Sequence, residues 1–174
     1  MNMLIQCTKK LADSFKIQLE MIPEQRDALF EWHAHIFMFE RRKAILLMNN
    51  ATRYPIILYG VKKDHLKNFD AVFKEAIKEV FLTQGINPIF VEKYLLDCGH
   101  FHFTKTDNRS LTGQINDFWI HISWEIEYHL ESLSVHLTNL SLWAADIPCW
   151  KIKNSPNREM MQAIEERYGD MNLK

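Results

Sequence analysis

Three short apolar runs separated by brief polar breaks constrain the fold of this chain more than any other feature of its sequence. The runs are residues 31–40 (EWHAHIFMFE), 44–48 (AILLM) and 54–59 (YPIILY). The breaks between them are as short as hairpin turns, so the pattern predicts an antiparallel meander. Because Pro55 has no N–H to donate, the third run should be an edge strand or should begin at Pro55.

Helical periodicity predicts what covers this sheet. Apolar residues recur every three or four positions over residues 64–84, and Gly85 follows where a helix would end. Further helices are predicted from Lys9, from Pro88, from Arg109 and from Pro156, and further short strands over residues 3–8 and 100–104. The sequence therefore predicts one α+β domain over residues 1–174, an antiparallel sheet of four to five strands packed against several helices.

The C-terminal third is harder to interpret. Residues 132–137 alternate like a strand, but they would also fit a continuation of the helix that begins at Arg109. The aromatic residues Phe118, Trp119, Trp124 and Trp143 are predicted to belong to the core.

Charge and cysteine usage exclude several classes of protein. The chain has 21 Lys and Arg residues against 22 Asp and Glu residues, a formal net charge of −1, so nucleic-acid binding would need a local basic patch. No apolar run approaches the length of a membrane span, and the first ten residues lack the order of a signal peptide. Three scattered cysteines without CxxC spacing predict free thiols and a cytoplasmic location.

Two His-x-His pairs suggest a divalent metal. His33 and His35, like His100 and His102, are predicted to lie on one face of a strand, where two imidazoles can share a metal ion. Four histidines would converge if the two strands were neighbours. Eight histidines in 174 residues also produce such spacings by chance on solvated faces, so both interpretations stay open.

The segment 103–118 (FTKTDNRSLTGQINDF) combines a strand end, a polar loop and a helix start. Free N–H groups at a helix start, together with neighbouring cations, favour phosphate or carboxylate binding. Gly113 is unfavourable within a helix and suggests a close approach by a ligand or another backbone. The alternative is a capped helix with ordinary local hydrogen bonds. The candidate ligand-binding residues are Lys105, Thr106, Asn108, Arg109, Ser110, Asn116 and Arg53.

A second basic segment lies in the meander. Arg41, Arg42 and Lys43, together with Arg53, could form a basic hairpin edge usable for nucleic acid. The alternative is a charged turn that only prevents pairing of an edge strand with another chain.

Three segments resemble an uncharacterised bacterial family that carries a domain of unknown function. They are residues 4–11 (LIQCTKKL), 47–54 (LMNNATRY) and 104–117 (TKTDNRSLTGQIND). The resemblance implies no activity. It draws attention to particular positions, which are Asn49, Thr52, Arg53, Thr106, Asn108, Arg109, Gly113 and Asn116.

The leading functional hypothesis is a non-catalytic binding or regulatory module for a phosphate-bearing ligand or a nucleic-acid backbone. Lys105, Asn108 and Arg109 would bind the anion, with Arg53 or Arg41 nearby. One alternative is a metal-dependent hydrolase or nuclease that uses the four paired histidines, with Glu40 or Asp117 as base. Another is an antitoxin-like or defence-associated protein–protein adaptor, or a homo-oligomer. Whether the protein is an enzyme stays open.

Overall fold

The fold is an α+β arrangement around one five-stranded sheet, as seen in a computed structural model that describes residues 1–130 and 134–169. The strands are β1 Met3–Cys7, β2 Glu31–Phe39, β3 Arg42–Asn49, β4 Pro55–Tyr59 and β5 Phe101–Lys105. The helices in these ranges are α1 Lys9–Phe15, α2 Lys63–Lys67, α3 Phe69–Gln84, α4 Pro88–Asp97, α5 Arg109–Glu125, α6 Thr138–Ala145 and α7 Pro156–Tyr168. Short 3-10 turns span Ala28–Phe30 and Ile126–His129. None of these helices is long and apolar enough to cross a membrane.

The sheet is mixed, which corrects the expectation of a purely antiparallel one. Its strand order is β4-β3-β2-β1-β5. The meander is antiparallel as predicted, and Pro55 begins the edge strand β4. However, β1 pairs in parallel with both β2 and β5. Parallel pairing is available here because long helix-containing connections join β1 to β2 and β4 to β5.

Helices cover both faces of the sheet. Alternate side chains of the central strands, such as Trp32 and Ile45, join a core with α3, α4 and α7. The opposite alternation, including Leu46 and Ile57, joins a second core with α5 and α6. Period-two alternation in the strands and the apolar stripes of the helices account for this arrangement.

Some sequence predictions need adjustment. The helix predicted over residues 64–84 is divided at Asn68, whose φ of −119° and ψ of 36° leave the helical region; Gly85 ends it as expected, with φ of +95°. Phe118 is buried, but Trp124 is 77% exposed and therefore is not core. Of the segment 132–137, residues 132 and 133 lie outside the described residues.

Candidate functional site

Four strands end at the same edge of the sheet. Because β3 alone runs in the opposite direction, β1, β2, β4 and β5 all have their carboxyl ends at one edge, which we name the carboxyl edge. In open sheets with parallel strands, ligands bind outside the carboxyl ends. The predicted junction between β5 and α5 belongs to this edge.

Basic residues collect at the carboxyl edge. Nine of the chain's 21 Lys and Arg residues lie at the strand ends and helix starts there. They are Lys9, Lys10, Arg41, Arg42, Lys43, Lys62, Lys63, Lys105 and Arg109. Acidic residues at the same turns and helix starts are fewer: Asp13, which pairs with Lys9 at 2.5 Å, Glu40, Asp64 and Asp107. A chain with a net charge of −1 thus has one edge with an excess of positive charge.

A groove of about 830 Å³ opens at this edge between the β2–β3 turn and the segment that joins β4 to α2. Six basic side chains line it, and none of the described lining residues is acidic. The basic residues are Arg41, Arg42, Lys43, Lys62, Lys63 and His65. Two aromatic rings lie among them: the Lys43 ammonium is 4.5 Å from the ring centre of Phe15, and the Arg42 guanidinium is 6.0 Å from that of Tyr59.

The turn that carries these arginines is strained. Glu40 and Arg41 form a two-residue hairpin loop with φ values of +45° and +65°. Tight hairpins of this kind favour Asn and Gly, because other residues are unfavourable at positive φ. Non-glycine residues held in such conformations occur often at functional sites.

The structure brings together most of the predicted ligand-binding residues. Asn108 caps α5, its Oδ1 accepting from the Leu111 N–H at 3.2 Å, and the Thr106 N–H donates to the Cys7 carbonyl at 3.3 Å. Lys105, Arg109 and Ser110 are exposed beside them.

Asn116 and Arg53 do not join this junction. Asn116 lies further along α5 and donates to the Thr112 carbonyl at 3.0 Å. Arg53 donates to Gln114 Oε1 at 2.9 Å and to the Asn50 carbonyl. Burial lowers the pKa of Arg53. The bond to Gln114 places this half-buried guanidinium against the side of α5 rather than at its start.

The four histidines do not converge, because β1 lies between β2 and β5. His35 Nδ1 lies 2.6 Å from Thr8 Oγ1, and His102 Nδ1 lies 2.7 Å from Glu20 Oε2. His100 was predicted to lie in a strand, but it precedes β5 in a bend. In residues 1–130 and 134–169, no group of three or more His, Cys, Asp or Glu side chains is placed to hold a metal ion.

Sequence reasoning missed a partly buried polar cluster on the sheet face next to β5 and α5. Its members are Gln6, Arg26, Glu31, His33, Asn50 and Asp107. Gln6 Nε2 donates to Asp107 Oδ1 at 2.6 Å, and Asn50 Nδ2 donates to Gln6 Oε1 at 2.7 Å. These three residues come one each from the three segments of the family resemblance. A polar Gln6 inside the apolar strand Met3–Cys7 was the one local signal of the cluster.

Ion pairs hold the exposed side of the polar cluster. Arg26 binds both carboxylate oxygens of Glu31, at 2.9 and 2.6 Å, and one oxygen of Asp107 at 2.5 Å. Burial opposes ionisation of Asp107, but hydrogen bonds from Arg26 and Gln6 outweigh it and hold its pKa below the usual value. The hydrogen bond with Glu31 raises the pKa of Arg26. The charged forms of Arg26 and Asp107 are therefore favoured.

Among the described residues, no other backbone approaches Gly113 closely: a Cβ atom there would contact nothing within 4 Å. Approach by a ligand stays a prediction. We expect Gly113→Ala to raise the free energy of unfolding by about 0.5–1 kcal/mol, because alanine is the better helix former. Urea unfolding of the two proteins measures this difference. A destabilised variant would show that the helix is constrained at Gly113 in a way that its surroundings do not reveal.

Comparison with known protein families assigns this chain to a family. The sequence model of a domain of unknown function, DUF6933, matches residues 4–161. This range contains all three resembling segments, the basic groove and the polar cluster. No curated protein matches the chain. Since the match covers most of the sequence, the chain belongs to the family defined by this domain of unknown function.

Proposed function

We propose that the carboxyl edge binds a phosphate-bearing ligand or a nucleic-acid backbone, and that the protein acts as a non-catalytic binding or regulatory module. One observation carries the proposal: six basic side chains and no acidic one among the described residues that line a groove of about 830 Å³. The chain as a whole has a net charge of −1, so this positive field is local to the groove.

The groove offers the groups that phosphate recognition uses. Guanidinium groups of Arg41 and Arg42 can donate two parallel hydrogen bonds to one phosphate, and the Lys ammonium groups add point charges. A concave surface lined by charges of one sign concentrates its field and attracts ions of opposite sign. The strained turn that presents Arg41 supports a role for this side chain beyond folding.

The edge is also long enough to contact several consecutive phosphates of a nucleic-acid backbone. Neighbouring strands lie about 4.8 Å apart, so the edge spans about 19 Å from β4 to β5. One strand of B-form DNA carries five or six phosphates over about that distance, at about 3.4 Å each. Lys9, Lys10, Lys105 and Arg109 extend the positive charge beyond the groove toward β5. A mononucleotide or polyphosphate would need only the groove, whereas a nucleic acid would use the whole edge.

The proposal includes a cytoplasmic location, where such ligands are abundant and thiols stay reduced. Cys7 and Cys98 are free and buried, and burial raises the pKa of both thiols to about 12. Thiols of that kind behave as small apolar core residues.

Binding of a fluorescent single-stranded oligonucleotide, followed by anisotropy at several salt concentrations, tests the proposal. We expect Arg41→Gln/Arg42→Gln to weaken binding about tenfold or more. The dependence of the binding constant on salt concentration should also become weaker, by the amount that corresponds to about two lost phosphate contacts. The control, Lys151→Gln/Lys153→Gln, removes two exposed cations elsewhere and should change binding by less than about twofold.

Competition then identifies the ligand class. Displacement of the oligonucleotide by a mononucleotide or by pyrophosphate at similar concentrations would indicate a small phosphate-bearing ligand. Displacement only by other oligonucleotides would indicate a nucleic-acid backbone. The proposal is contradicted if neither the oligonucleotide nor the phosphate competitors bind at low salt, or if the two double variants lose equal affinity.

A further inference from the structure

His33 is fully buried and has one unsatisfied ring nitrogen. Its side chain is 0% exposed, and its Nδ1 lies 2.8 Å from Asn50 Oδ1. Its Nε2 is buried without a hydrogen-bond partner. A buried polar atom without a partner is unfavourable by about 1–3 kcal/mol, so an orphaned atom in an otherwise satisfied cluster needs an explanation.

The hydrogen bonds of Asn50 determine which nitrogen of His33 carries the proton. Asn50 Nδ2 donates to Gln6 Oε1 at 2.7 Å and to Glu31 Oε2 at 2.9 Å. Its Oδ1 is therefore the atom that faces His33, and it can only accept. The proton of the neutral ring must then lie on Nδ1, which leaves a lone pair on Nε2.

That lone pair faces a carboxylate. His33 Nε2 lies 3.8 Å from Asp107 Oδ1, which is too long for a hydrogen bond. Asp107 is held in place by Gln6 on Oδ1 and by Arg26 on Oδ2. Two acceptors thus face each other across a gap, and a single added proton would turn the repulsive contact into a charge-assisted hydrogen bond.

We propose that His33 Nε2 and Asp107 Oδ1 form a proton-binding site that is buried on the side of His33. A proton taken up on Nε2 shortens the contact by about 1 Å, to an ordinary N–H···O distance, and draws the β5–α5 loop toward β2. Asp107 lies between Lys105 and Arg109, so proton uptake acts on one end of the carboxyl edge. The inference does not depend on phosphate binding at that edge.

The charges around His33 set the pH range. Burial is the largest influence and lowers the pKa of His33 below its usual 6.5, while Asp107 and Glu31 favour the cation and Arg26 opposes it. Because the pKa is lower in the folded than in the unfolded state, the neutral ring stabilises the fold fully above about pH 6.5. This contribution is lost as the pH falls toward the folded-state pKa.

Imidazole ¹⁵N NMR of the whole chain, titrated from pH 8 to pH 4.5, tests the site, with His33→Gln assigning the signals. We expect the Nδ1–H tautomer at high pH and a His33 pKa below 6.5. Asp107→Asn should lower that pKa by about 0.5 or more, because it removes the charge that favours the cation. Asp117→Asn removes an exposed carboxylate of α5 and should leave the pKa within about 0.2.

Two results would overturn the inference: an Nε2–H tautomer at pH 8, or a His33 pKa that Asp107→Asn leaves unchanged. If Asp107→Asn does not fold, a titration of the wild-type protein tests the coupling between His33 and Asp107 instead. The backbone amide signals of Asp107 and Asn108 should then titrate with the same midpoint as the His33 ring. Independent titration of these amides would refute the coupling.

Discussion

Replacing Arg26 with alanine is expected to lower the free energy of unfolding by about 3 kcal/mol. Arg26 neutralises Glu31, whose side chain is only 6% exposed, through two hydrogen bonds of 2.9 and 2.6 Å. It also holds Asp107 at 2.5 Å. Without the guanidinium, a buried carboxylate remains unpaired near a second one, and desolvation of that charge is the main penalty. Urea unfolding at pH 7.5 measures the change.

An exposed ion pair of similar geometry provides the control. Lys9 and Asp13 lie 2.5 Å apart, but their side chains are 88% and 63% exposed. Lys9→Ala should therefore change stability by less than about 0.5 kcal/mol. Arg26→Ala/Glu31→Gln should recover part of the loss, because it leaves no buried charge at position 31. Equal effects of Arg26→Ala and Lys9→Ala would contradict the assignment of Glu31 as a buried, paired carboxylate.

Asn49→Ala is expected to lower the free energy of unfolding by a similar amount, about 3 kcal/mol, without a change in charge. The Asn49 amide donates to the Leu29 carbonyl at 2.9 Å. Its Oδ1 accepts from the backbone N–H groups of Ala51 and Thr52 and from the Thr52 hydroxyl, each at 3.1 Å. Asn49 and Thr52 are buried, so alanine would leave several polar groups without a partner and without water.

The same substitution at Asn116 is the matched control. Asn116 is exposed on α5, and its amide donates to the Thr112 carbonyl. Alanine favours the helix there, so Asn116→Ala should change stability by less than about 0.5 kcal/mol. Thermal or urea unfolding of both variants distinguishes the structural role of the buried Asn49 side chain from that of the exposed Asn116 side chain. If Asn49→Ala is as stable as Asn116→Ala, the β3–β4 turn does not depend on the Asn49 side chain.

Local patterns were sufficient to predict the meander and the main helix of the first core. The apolar runs of residues 31–59 and the apolar stripe over residues 64–84 are both features within a single segment. The parallel pairing of β1 could not be obtained in this way. It depends on where two long connections place β2 and β5, and nothing in the short strand Met3–Cys7 encodes those positions.

For the candidate sites too, features within one segment could be predicted, whereas contacts between distant segments could not. Arg41–Lys43 was visible as a charged turn, but only the folded meander places Lys62 and Lys63 on the other side of the same groove. The polar cluster was missed because its members are distant in the sequence: Gln6 and Asp107 are 101 positions apart. Trp124 was misassigned because a helix stripe does not show how wide the buried part of the helix is. Ile122 and Ile126, on either side of Trp124 in the sequence, are buried, whereas Trp124 lies on the exposed face of the helix.

The position of β1 in the sheet has a consequence for synthesis of the chain. β1 precedes the other strands in the sequence, yet its second neighbour, β5, begins only at Phe101. At about 5–20 residues per second, a ribosome needs roughly 5–20 s to make the chain between them. Throughout that interval one side of β1 has unpaired backbone groups, which is a surface that chaperones or other nascent chains can bind. Complete folding must therefore wait for β5, however early the meander forms.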